Sequence, residues 1–209
     1  MVDEFWDEKL TKASWEKLLE LSKEYKFIVI GGWAAYLWTK AHKSKDIDIV
    51  IDHDTLRELM MKFDVVKNER MKKYEIKLDK FDIDIYLPFF SRLAIPLEEL
   101  DLISTNIDGL RVPQAEALLL LKQAAEIDRR NSIKGKKDSI DILTILAHTD
   151  IDWKKYSSLA KKYKLENYPK ELLAIVNRFE DADIHYLKVG FVQYKKLKKK
   201  LIREITEIL

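Results

Sequence analysis

Residues 26–52 form the segment that most narrows the folds open to this chain. An apolar, β-branched run (KFIVI) leads into two adjacent glycines, Gly31 and Gly32, and the helix-forming stretch WAAYLWTKA follows them. Glycine tolerates the backbone angles of a tight turn, so this order predicts a strand, a turn and a helix. The next run, DIDIVID, has the alternation of a second strand. The segment therefore predicts a sheet in which a helix connects two strands.

Asp46 and Asp48 lie two residues apart in the second predicted strand. Side chains alternate across a strand, so both carboxylates are expected on one face while Ile47 and Ile49 face the core. Their Cα atoms would be about 6.6–7 Å apart, a separation from which two carboxylates can converge on one cation. The pair predicts a magnesium site. The alternative is the solvated face of a half-exposed strand, which is common in a chain with 35% charged residues.

A hairpin of two further strands is predicted from KKYEIKL and FDIDIYLP, which are joined around residues 79–80. Its second strand carries Asp82 and Asp84. If this strand pairs beside the first acidic strand, it adds a third carboxylate to the same face. We favour Asp84 as the third carboxylate because it lies deeper in the strand. Asp82 shares that face and stays open as the alternative.

Three carboxylates on one face need protonation, neighbouring lysines or a bound divalent cation, and the divalent cation is the functional interpretation. Two carboxylates about 5 Å apart repel by roughly 3 kcal/mol at an effective dielectric of about 20. Two magnesium ions would relieve this repulsion, activate an attacking hydroxyl and stabilise the leaving oxygen of an in-line displacement at phosphorus. Gly31 and Gly32 suit this chemistry, because they let phosphate oxygens approach the backbone at a helix N-terminus. The predicted metal ligands are Asp46, Asp48 and Asp84.

The character of the chain changes near residue 112. A hairpin is predicted before this point in STNIDGLRVP, with its turn at Asp108-Gly109, and helix-like stretches fill the chain from Pro113 onward. Proline suits the first turn of a helix, so Pro113 is expected to begin the first of them. We therefore predict an α+β protein with a mixed sheet and flanking helices in a domain of residues 1–112, followed by a helical domain of residues 113–209.

Composition excludes several other classes of protein. The chain has no cysteine, which rules out disulfide frameworks, thiolate zinc sites and cysteine nucleophiles, and its four histidines lack paired ligand spacing. The formal net charge of +2 identifies no partner. No apolar run approaches the roughly 20 residues that cross a bilayer, and the start of the chain lacks the pattern of a signal peptide. We expect a cytoplasmic protein without a membrane partner, in which any metal is bound by oxygen.

The stretch IVIGGWAAYLWTKAHKSKDIDIVID resembles the signature of DNA-polymerase-β-like nucleotidyltransferases, in which a Gly-Gly or Gly-Ser turn precedes Asp-x-Asp. The resemblance implies a nucleotidyltransferase fold in which Gly31 and Gly32 hold the triphosphate of an NTP. It also implies that Asp46 and Asp48 bind both magnesium ions, and that Asp84 completes the metal site and helps to deprotonate the acceptor. Gly32 stands where the family often has serine, so one hydroxyl contact to phosphate is lost.

The helical continuation LLLLKQAAEIDRRNSIKGKKDSIDILTIL resembles the AbiEii-type group of that superfamily, known mainly as toxins of toxin–antitoxin and phage-defence systems. In that group a lysine-bearing helix precedes an arginine and Lys-Asp-x-x-Asp, and the matching positions here are Lys122, Arg129 or Arg130, Lys137, Asp138 and Asp141. The resemblance implies that Lys122, Arg130 and Lys137 contact the triphosphate. Surface charges or interhelical ion pairs are the alternative for these residues.

Two functions follow from this resemblance. The first is an enzyme that transfers a nucleoside monophosphate to a hydroxyl of RNA, such as a tRNA end, or of protein, with a cognate antitoxin as a further partner. The second is a nucleotide-binding or interaction module that keeps the fold without turnover. The presence of all the carboxylates favours the enzyme.

The basic run YKKLKKKLIREI near the C-terminus has two interpretations. Its lysines could bind an RNA backbone. Apolar residues recur within and beyond it at helical spacing, at Tyr194, Leu197, Leu201 and Ile205, which indicates a packed helix with one solvated face. We favour the packed helix.

Overall fold

The computed structural model describes residues 7–209. The chain divides into two compact units, Met1–Gln114 and Ala115–Leu209. The first unit holds a mixed β-sheet with flanking helices, and the described strands all lie in it. The second unit is helical throughout its regular elements. The predicted α+β class, with a mixed sheet followed by a helical part, is confirmed.

Helices and strands intermingle along residues 7–114. The helices there are α1 (Glu8–Glu24), α2 (Gly31–Thr39), α3 (His53–Lys62) and α4 (Leu97–Leu100), with a 3₁₀ turn at Asp101–Ile103. The strands are β1 (Ile28–Val29), β2 (Ile47–Val50), β3 (Val65–Asn68), β4 (Lys73–Lys77), β5 (Asp82–Tyr86), β6 (Ser104–Ile107) and β7 (Leu110–Pro113). These strands form one sheet in the order β3-β4-β5-β2-β1-β7-β6.

Both predicted hairpins are present in the sheet. Strands β4 and β5 are antiparallel, and so are β6 and β7, with Asp108 and Gly109 at the turn of the second pair. Strand β2 is antiparallel to β1 and parallel to β5, so the two acidic strands are neighbours. Strand β3 extends the sheet beyond β4 and was not predicted, because two of its four residues are solvent-exposed, the other two are half-buried and neither face is wholly apolar.

An aromatic cluster packs α1 against α2. Asp7 caps α1 by accepting hydrogen bonds from the backbone of Lys9 and Leu10, both at 3.0 Å. On the inner side of α1, Ser14 Oγ accepts a hydrogen bond of 2.9 Å from Nε1 of the fully buried Trp33, and the ring centroids of Trp15 and Trp33 are 4.8 Å apart. These contacts fix α2, whose first residue is Gly31, against the core.

Pro113 ends a strand, and the prediction that it begins a helix is wrong. It pairs with Ser104 at the end of β7, and its carbonyl accepts a hydrogen bond of 3.0 Å from Trp38 Nε1. Helix α5 begins at Ala115. A proline at the last position of a strand loses little, because the ladder hydrogen bond that it cannot donate lies at the end of the pairing.

The second unit contains α5 (Ala115–Arg129), α6 (Ile133–His148), α7 (Trp153–Lys162), α8 (Tyr168–Arg178), a 3₁₀ segment at Asp181–Leu187 and α9 (Phe191–Thr206). Buried Gln123 links three of these helices, because it accepts a hydrogen bond of 2.7 Å from Tyr156 Oη and donates one of 2.9 Å to the carbonyl of Tyr168. Tyr194, Leu201 and Ile205 are buried along α9, which confirms the predicted packed stripe. Among the described residues, no helix is long and apolar enough to span a membrane.

Candidate active site

The start of α2 forms one wall of the candidate site. Gly31 is its first residue and has a φ of +65°, a conformation that favours glycine. Ile30, the residue before it, makes no side-chain capping hydrogen bond, and a helix start of this kind can bind an anion. The Ile30 amide donates a hydrogen bond of 2.9 Å to the Asp48 carbonyl, which holds the glycine turn beside the acidic strand.

Asp48 fills the space that a side chain at Gly31 would need. A Cβ atom added to Gly31 would lie 2.1 Å from Asp48 Oδ2, well inside a normal van der Waals contact. Glycine is therefore required at this position for two reasons: the backbone has a positive φ, and a larger residue would displace the Asp48 carboxylate. The neighbouring Gly32 is buried inside the first turn of α2.

Asp48 and Asp84 stand side by side on the parallel strands β2 and β5, where their Cα atoms are register partners. Residues in register on neighbouring strands point to the same face, so the two carboxylates share one side of the sheet. Tyr86 lies two residues further on β5, and its Oη is 3.4 Å from Asp48 Oδ1. The predicted pairing of the acidic strands is confirmed, and the roles of these carboxylates stay predictions.

Asp84 has an unusual proton affinity. Burial and the nearby Asp48 carboxylate raise its pKa from 3.8 to about 6, although Lys73 acts in the opposite direction. A carboxyl group with a pKa close to neutrality can exchange a proton readily under physiological conditions. Asp84 is therefore suited to accepting a proton near neutral pH.

Lys73 and Glu75 on β4 complete the polar face and were not identified from the sequence. Lys73 Nζ lies 2.6 Å from Asp84 Oδ2 and 3.1 Å from Glu75 Oε1, and Glu75 is the register partner of Asp84. Asn68 Nδ2 donates a hydrogen bond of 2.9 Å to Glu75. The alternation of Lys73, Glu75 and Lys77 on one face of KKYEIK was the available signal, but only the strand register shows which of them reaches Asp84.

Asp46 and Asp82 form the outer part of the acidic face. Asp46 precedes β2 by one residue, and its Oδ1 lies 3.4 Å from the backbone nitrogen of Asp82. Asp82 is exposed, whereas Asp84 is mostly buried beside Asp48. This arrangement favours Asp84 over Asp82 as the third carboxylate.

The donor set of this face fits a hard divalent cation. Mg²⁺ prefers carboxylate oxygens, and Asp46, Asp48 and Asp84 supply them beside a glycine cradle that brings the backbone close. In residues 7–209 no three acidic or histidine side chains are grouped, as they stand, in a way that could hold a metal ion. In the described arrangement Lys73 supplies the positive charge next to Asp84.

Lys122 and Lys137 lie in a buried ion-pair network between α5 and α6. Lys122 Nζ is 2.6 Å from Asp141 Oδ2, and Lys137 Nζ is 3.4 Å from the same oxygen. Burial raises the pKa of Asp141, but Lys122 and Lys137 together hold it below its ordinary value. Arg129 forms two hydrogen bonds to the buried Asp138, at 2.6 and 3.1 Å. These contacts are the interhelical ion pairs of the alternative interpretation, and triphosphate binding by these lysines stays a prediction.

Arg130 takes part in a second network in the same unit. Its Nη2 lies 3.2 Å from Glu126 and 2.6 Å from Glu171, and Arg178 also pairs with the buried Glu126. Hydrogen bonds to these carboxylates raise the pKa of Arg130, so its charge is fixed. Its predicted contact with the triphosphate likewise stays a prediction.

Comparisons with known proteins place the chain in a family. A family model described as a nucleotidyltransferase of unknown function (DUF6036) matches residues 9–200. A candidate nucleotidyltransferase from H. pylori, known from a crystal structure, has a TM-score of 0.50 at 15% identity, covering 97% of this chain and 99% of that chain. This likeness concerns the fold alone.

Two further results complete the comparison. JHP933 from Helicobacter pylori has a TM-score of 0.45 at 17% identity, with 97% of both chains covered. A search of curated proteins found no significant match. Because the family model spans nearly the whole sequence, the chain belongs to the DUF6036 family of nucleotidyltransferases.

Proposed function

We propose that this protein is a magnesium-dependent nucleotidyltransferase that moves a nucleoside monophosphate from an NTP to a hydroxyl of RNA, such as a tRNA end, or of protein. One observation carries the proposal: Asp48 and Asp84 are register partners on parallel strands, directly beside Gly31 at the uncapped start of α2. This arrangement would bring a triphosphate next to the carboxylates, as phosphoryl transfer requires.

The glycine turn would bind the triphosphate. The first amides of α2 lack a side-chain cap, and the helix dipole favours negative charge at this end. Gly31 and Gly32 let phosphate oxygens approach the backbone without a collision against Cβ atoms. Binding at this end of α2 would direct the phosphates toward Asp48, because the Asp48 carboxylate lies next to Gly31.

Asp46, Asp48 and Asp84 would hold the magnesium, which we expect as two ions. When bound, the metal would neutralise the charge of the phosphates and of the pyrophosphate that leaves. Asp84 would also accept the proton of the attacking hydroxyl, a task for which its pKa of about 6 is suited. Lys73 and Glu75 would keep the Asp84 side chain in position before the substrates arrive.

The proposal is tested by incubating the protein with each α-labelled NTP, magnesium, and either total RNA or a cell lysate. We expect the label to move to a macromolecule only when magnesium is present. The variants Asp48→Asn and Asp84→Asn should lose at least about a hundredfold in rate, since each removes a charge that faces the reacting phosphate. The matched variant Asp82→Asn, on the exposed end of β5, should retain most of the activity.

A nucleotide-binding module without turnover is the second candidate, and the contact of Lys73 with Asp84 is the observation that favours it. An ammonium group 2.6 Å from the carboxylate occupies a place that a metal would need. Magnesium-dependent NTP binding with no transfer to any acceptor would establish this module. Transfer that depends on Asp48 would exclude it.

A toxin role with a cognate antitoxin is proposed on the resemblance to the AbiEii-type group. Its test is induced expression in a bacterial host. Growth arrest by the wild type but not by the Asp48→Asn variant would support a toxin whose effect comes from nucleotide transfer. Normal growth with active, soluble enzyme would contradict it.

A further inference from the structure

Aromatic rings and lysines lie side by side near the β3 edge of the sheet, and the proposed transfer reaction does not explain them. We define the edge surface as Lys67, Lys72, Tyr74, Phe89 and Phe90. Lys67 and Tyr74 are register partners on β3 and β4, and the ring of Tyr74 lies 5.4 Å from that of Phe90. Lys67 Nζ is 4.8 Å from the centre of the Phe90 ring, and Lys72 Nζ is 5.4 Å from it. Lys67, Lys72 and the rings of Tyr74 and Phe90 thus form one contiguous surface, and Phe89 precedes Phe90 in the chain.

Phe89 has a backbone conformation that phenylalanine rarely adopts. It follows Pro88 in a turn in which the Phe90 amide donates a hydrogen bond of 3.3 Å to the Leu87 carbonyl. Proline at the second position and a positive φ at the third are the pattern of a type II turn, whose third position favours glycine. Phe89 has a φ of +63° there. Ser91 holds this turn closed, because its hydroxyl accepts a hydrogen bond of 3.0 Å from the Leu87 amide.

The Phe89 side chain is 85% exposed. An apolar ring that remains in solvent contributes little to folding, and its backbone costs free energy that glycine would not incur. A feature that opposes stability at an exposed position points to a role in binding. The ring is therefore available as a flat surface for a ligand.

The charge around the edge surface identifies the kind of ligand. Lys73 points to the carboxylate face, and apart from it residues 65–74 and 87–92 carry one acidic side chain, Glu69, and a larger set of basic ones: Lys67, Arg70, Lys72 and Arg92. Glu69 pairs with both Lys67 and Lys72, which leaves an excess of positive charge. Arg70 and Arg92 are exposed. The surface is complementary to a polyanion that also presents planar rings.

We propose that the edge surface binds the unpaired strand of a nucleic acid, with Phe89 stacking on a base and Lys67 and Lys72 close to the phosphates. Stacking platforms interleaved with cations bind single strands without requiring a particular sequence. Folded proteins and lipid headgroups offer no regular alternation of phosphates and planar rings, so they match this surface less well.

This inference rests on the proposed transferase function and specifies a nucleic acid as its acceptor. Lys73 and Tyr74 are consecutive on β4, so their side chains point to opposite faces of the sheet. Lys73 contacts Asp84, whereas Tyr74 belongs to the edge surface. In this proposal the edge surface holds the body of the acceptor strand, and its reacting end would pass round the β3 edge to reach the carboxylates on the opposite face.

The test is the affinity of the full chain for a fluorescein-labelled single-stranded RNA of about 12 nucleotides, measured by anisotropy without NTP. The variant Phe89→Gly removes the ring and also removes the conformational strain that the positive φ imposes on phenylalanine. We expect its Kd to rise roughly fivefold to a hundredfold while its melting temperature stays equal or increases. If Phe89 serves only the fold, this variant melts at a lower temperature and binds RNA as the wild type does, which would overturn the proposal.

Phe191→Ala is the matched control, because Phe191 is another exposed phenylalanine, 56% accessible, and begins the basic helix α9. It should leave the RNA affinity unchanged. Loss of affinity in Phe191→Ala but not in Phe89→Gly would move the binding surface to α9 and overturn the proposal. Equal affinity for a blunt duplex would also overturn it, because paired bases cannot stack on Phe89.

Two further binding measurements, with DNA and with lipid vesicles, identify the class of ligand. A single-stranded DNA of the same sequence that binds less tightly than the RNA identifies an RNA partner, and equal binding extends the proposal to both nucleic acids. Vesicles of anionic phospholipid should not bind. Vesicle binding that Phe89→Gly abolishes, together with no RNA binding, would reassign the surface to a membrane and overturn the proposal.

Magnesium-dependent NTP binding is measured on the same samples to keep the two proposals distinguishable. Phe89→Gly should bind NTP as the wild type does, since Phe89 lies outside the carboxylate face. A wild type that binds NTP but no RNA would overturn the edge-surface inference and leave transfer to a protein acceptor. A wild type that binds RNA but no NTP would contradict the transferase proposal alone.

Discussion

Gly31 lies so close to Asp48 that the carboxylate occupies the position of a Gly31 side chain. An added Cβ would be 2.1 Å from Asp48 Oδ2 and 2.7 Å from Asp48 Cγ. The glycine turn and the acidic strand are therefore parts of one site, and a change in either displaces the other.

The first prediction compares Gly31→Ala with Gly109→Ala. Both glycines have a positive φ, +65° and +81°, so the backbone conformation alone should cost each alanine variant about 1 kcal/mol of stability. A Cβ on Gly109 meets nothing within 4 Å, whereas one on Gly31 collides with Asp48. Gly31→Ala should therefore lose nucleotide transfer and Gly109→Ala should keep it, as measured by transfer rate beside thermal unfolding. Equal rates in the two variants would disprove the coupling.

The second prediction concerns the effect of Asp84 on stability. Its folded-state pKa of about 6 lies above the ordinary 3.8, so the folded state holds its proton more tightly than the unfolded chain does. Below about pH 4 Asp84 is protonated in both the folded and the unfolded state, so its raised pKa does not lower the stability. Stability is then lost as the pH rises toward about 6, by at most about 3 kcal/mol. Asp84→Asn should thus be more stable than the wild type near pH 8 and similar to it near pH 4.

Denaturant unfolding at both pH values checks this, with metal removed by chelation. The exposed Asp82→Asn variant controls for the loss of one negative charge. If Asp84→Asn differs from the wild type by the same free energy of unfolding at both pH values, ionisation of Asp84 does not destabilise the folded state.

The third prediction concerns Lys73. Its hydrogen bond and charge lower the pKa of Asp84, against burial and Asp48, which raise it. Lys73→Met should therefore raise this pKa and shift the acidic limb of the kcat/KM profile to higher pH, by roughly one pH unit. Lys73→Arg keeps the charge and serves as the control. An acidic limb that stays in place in Lys73→Met would exclude Asp84 as the group that titrates.

The fourth prediction separates the two interpretations of Lys122. Lys122 and Asp141 are each about 5% exposed, so Lys122→Met leaves a buried charge short of its partner and should cost about 3–5 kcal/mol of stability. Lys136→Met breaks the more exposed pair with Asp183 in the same unit and should cost less than about 1 kcal/mol. Chemical denaturation measures both.

Activity then decides whether Lys122 also contacts nucleotide. The double variant K122M/D141N removes both charges and should recover much of the lost stability. If its transfer rate recovers with stability, Lys122 is structural. A folded double variant that has lost NTP affinity would support the contact with the triphosphate.

The sequence was sufficient to predict the acidic strands, because alternation places Asp46 and Asp48 on one face whatever the strand pairs with. It could not predict that Lys73 bonds to Asp84, since that contact depends on the register of β4 against β5. Strand β3 was not predicted because its residues, VVKN, do not alternate between apolar and polar and are exposed or only half-buried at the sheet edge. In the helical unit the charge pattern of Lys122 and Asp141 was visible, but their burial depends on how α5 and α6 pack.

Magnesium-dependent binding of an NTP analogue is the most direct test of the proposed site. Isothermal titration calorimetry with a non-transferable α,β-methylene analogue would compare the wild type with Asp48→Asn and Asp84→Asn, with and without magnesium. We predict tight binding only for the wild type with magnesium, and at least about tenfold weaker binding for both variants. Binding that needs no magnesium, or that both variants retain in full, would contradict a metal and nucleotide site formed by Asp48, Asp84 and Gly31.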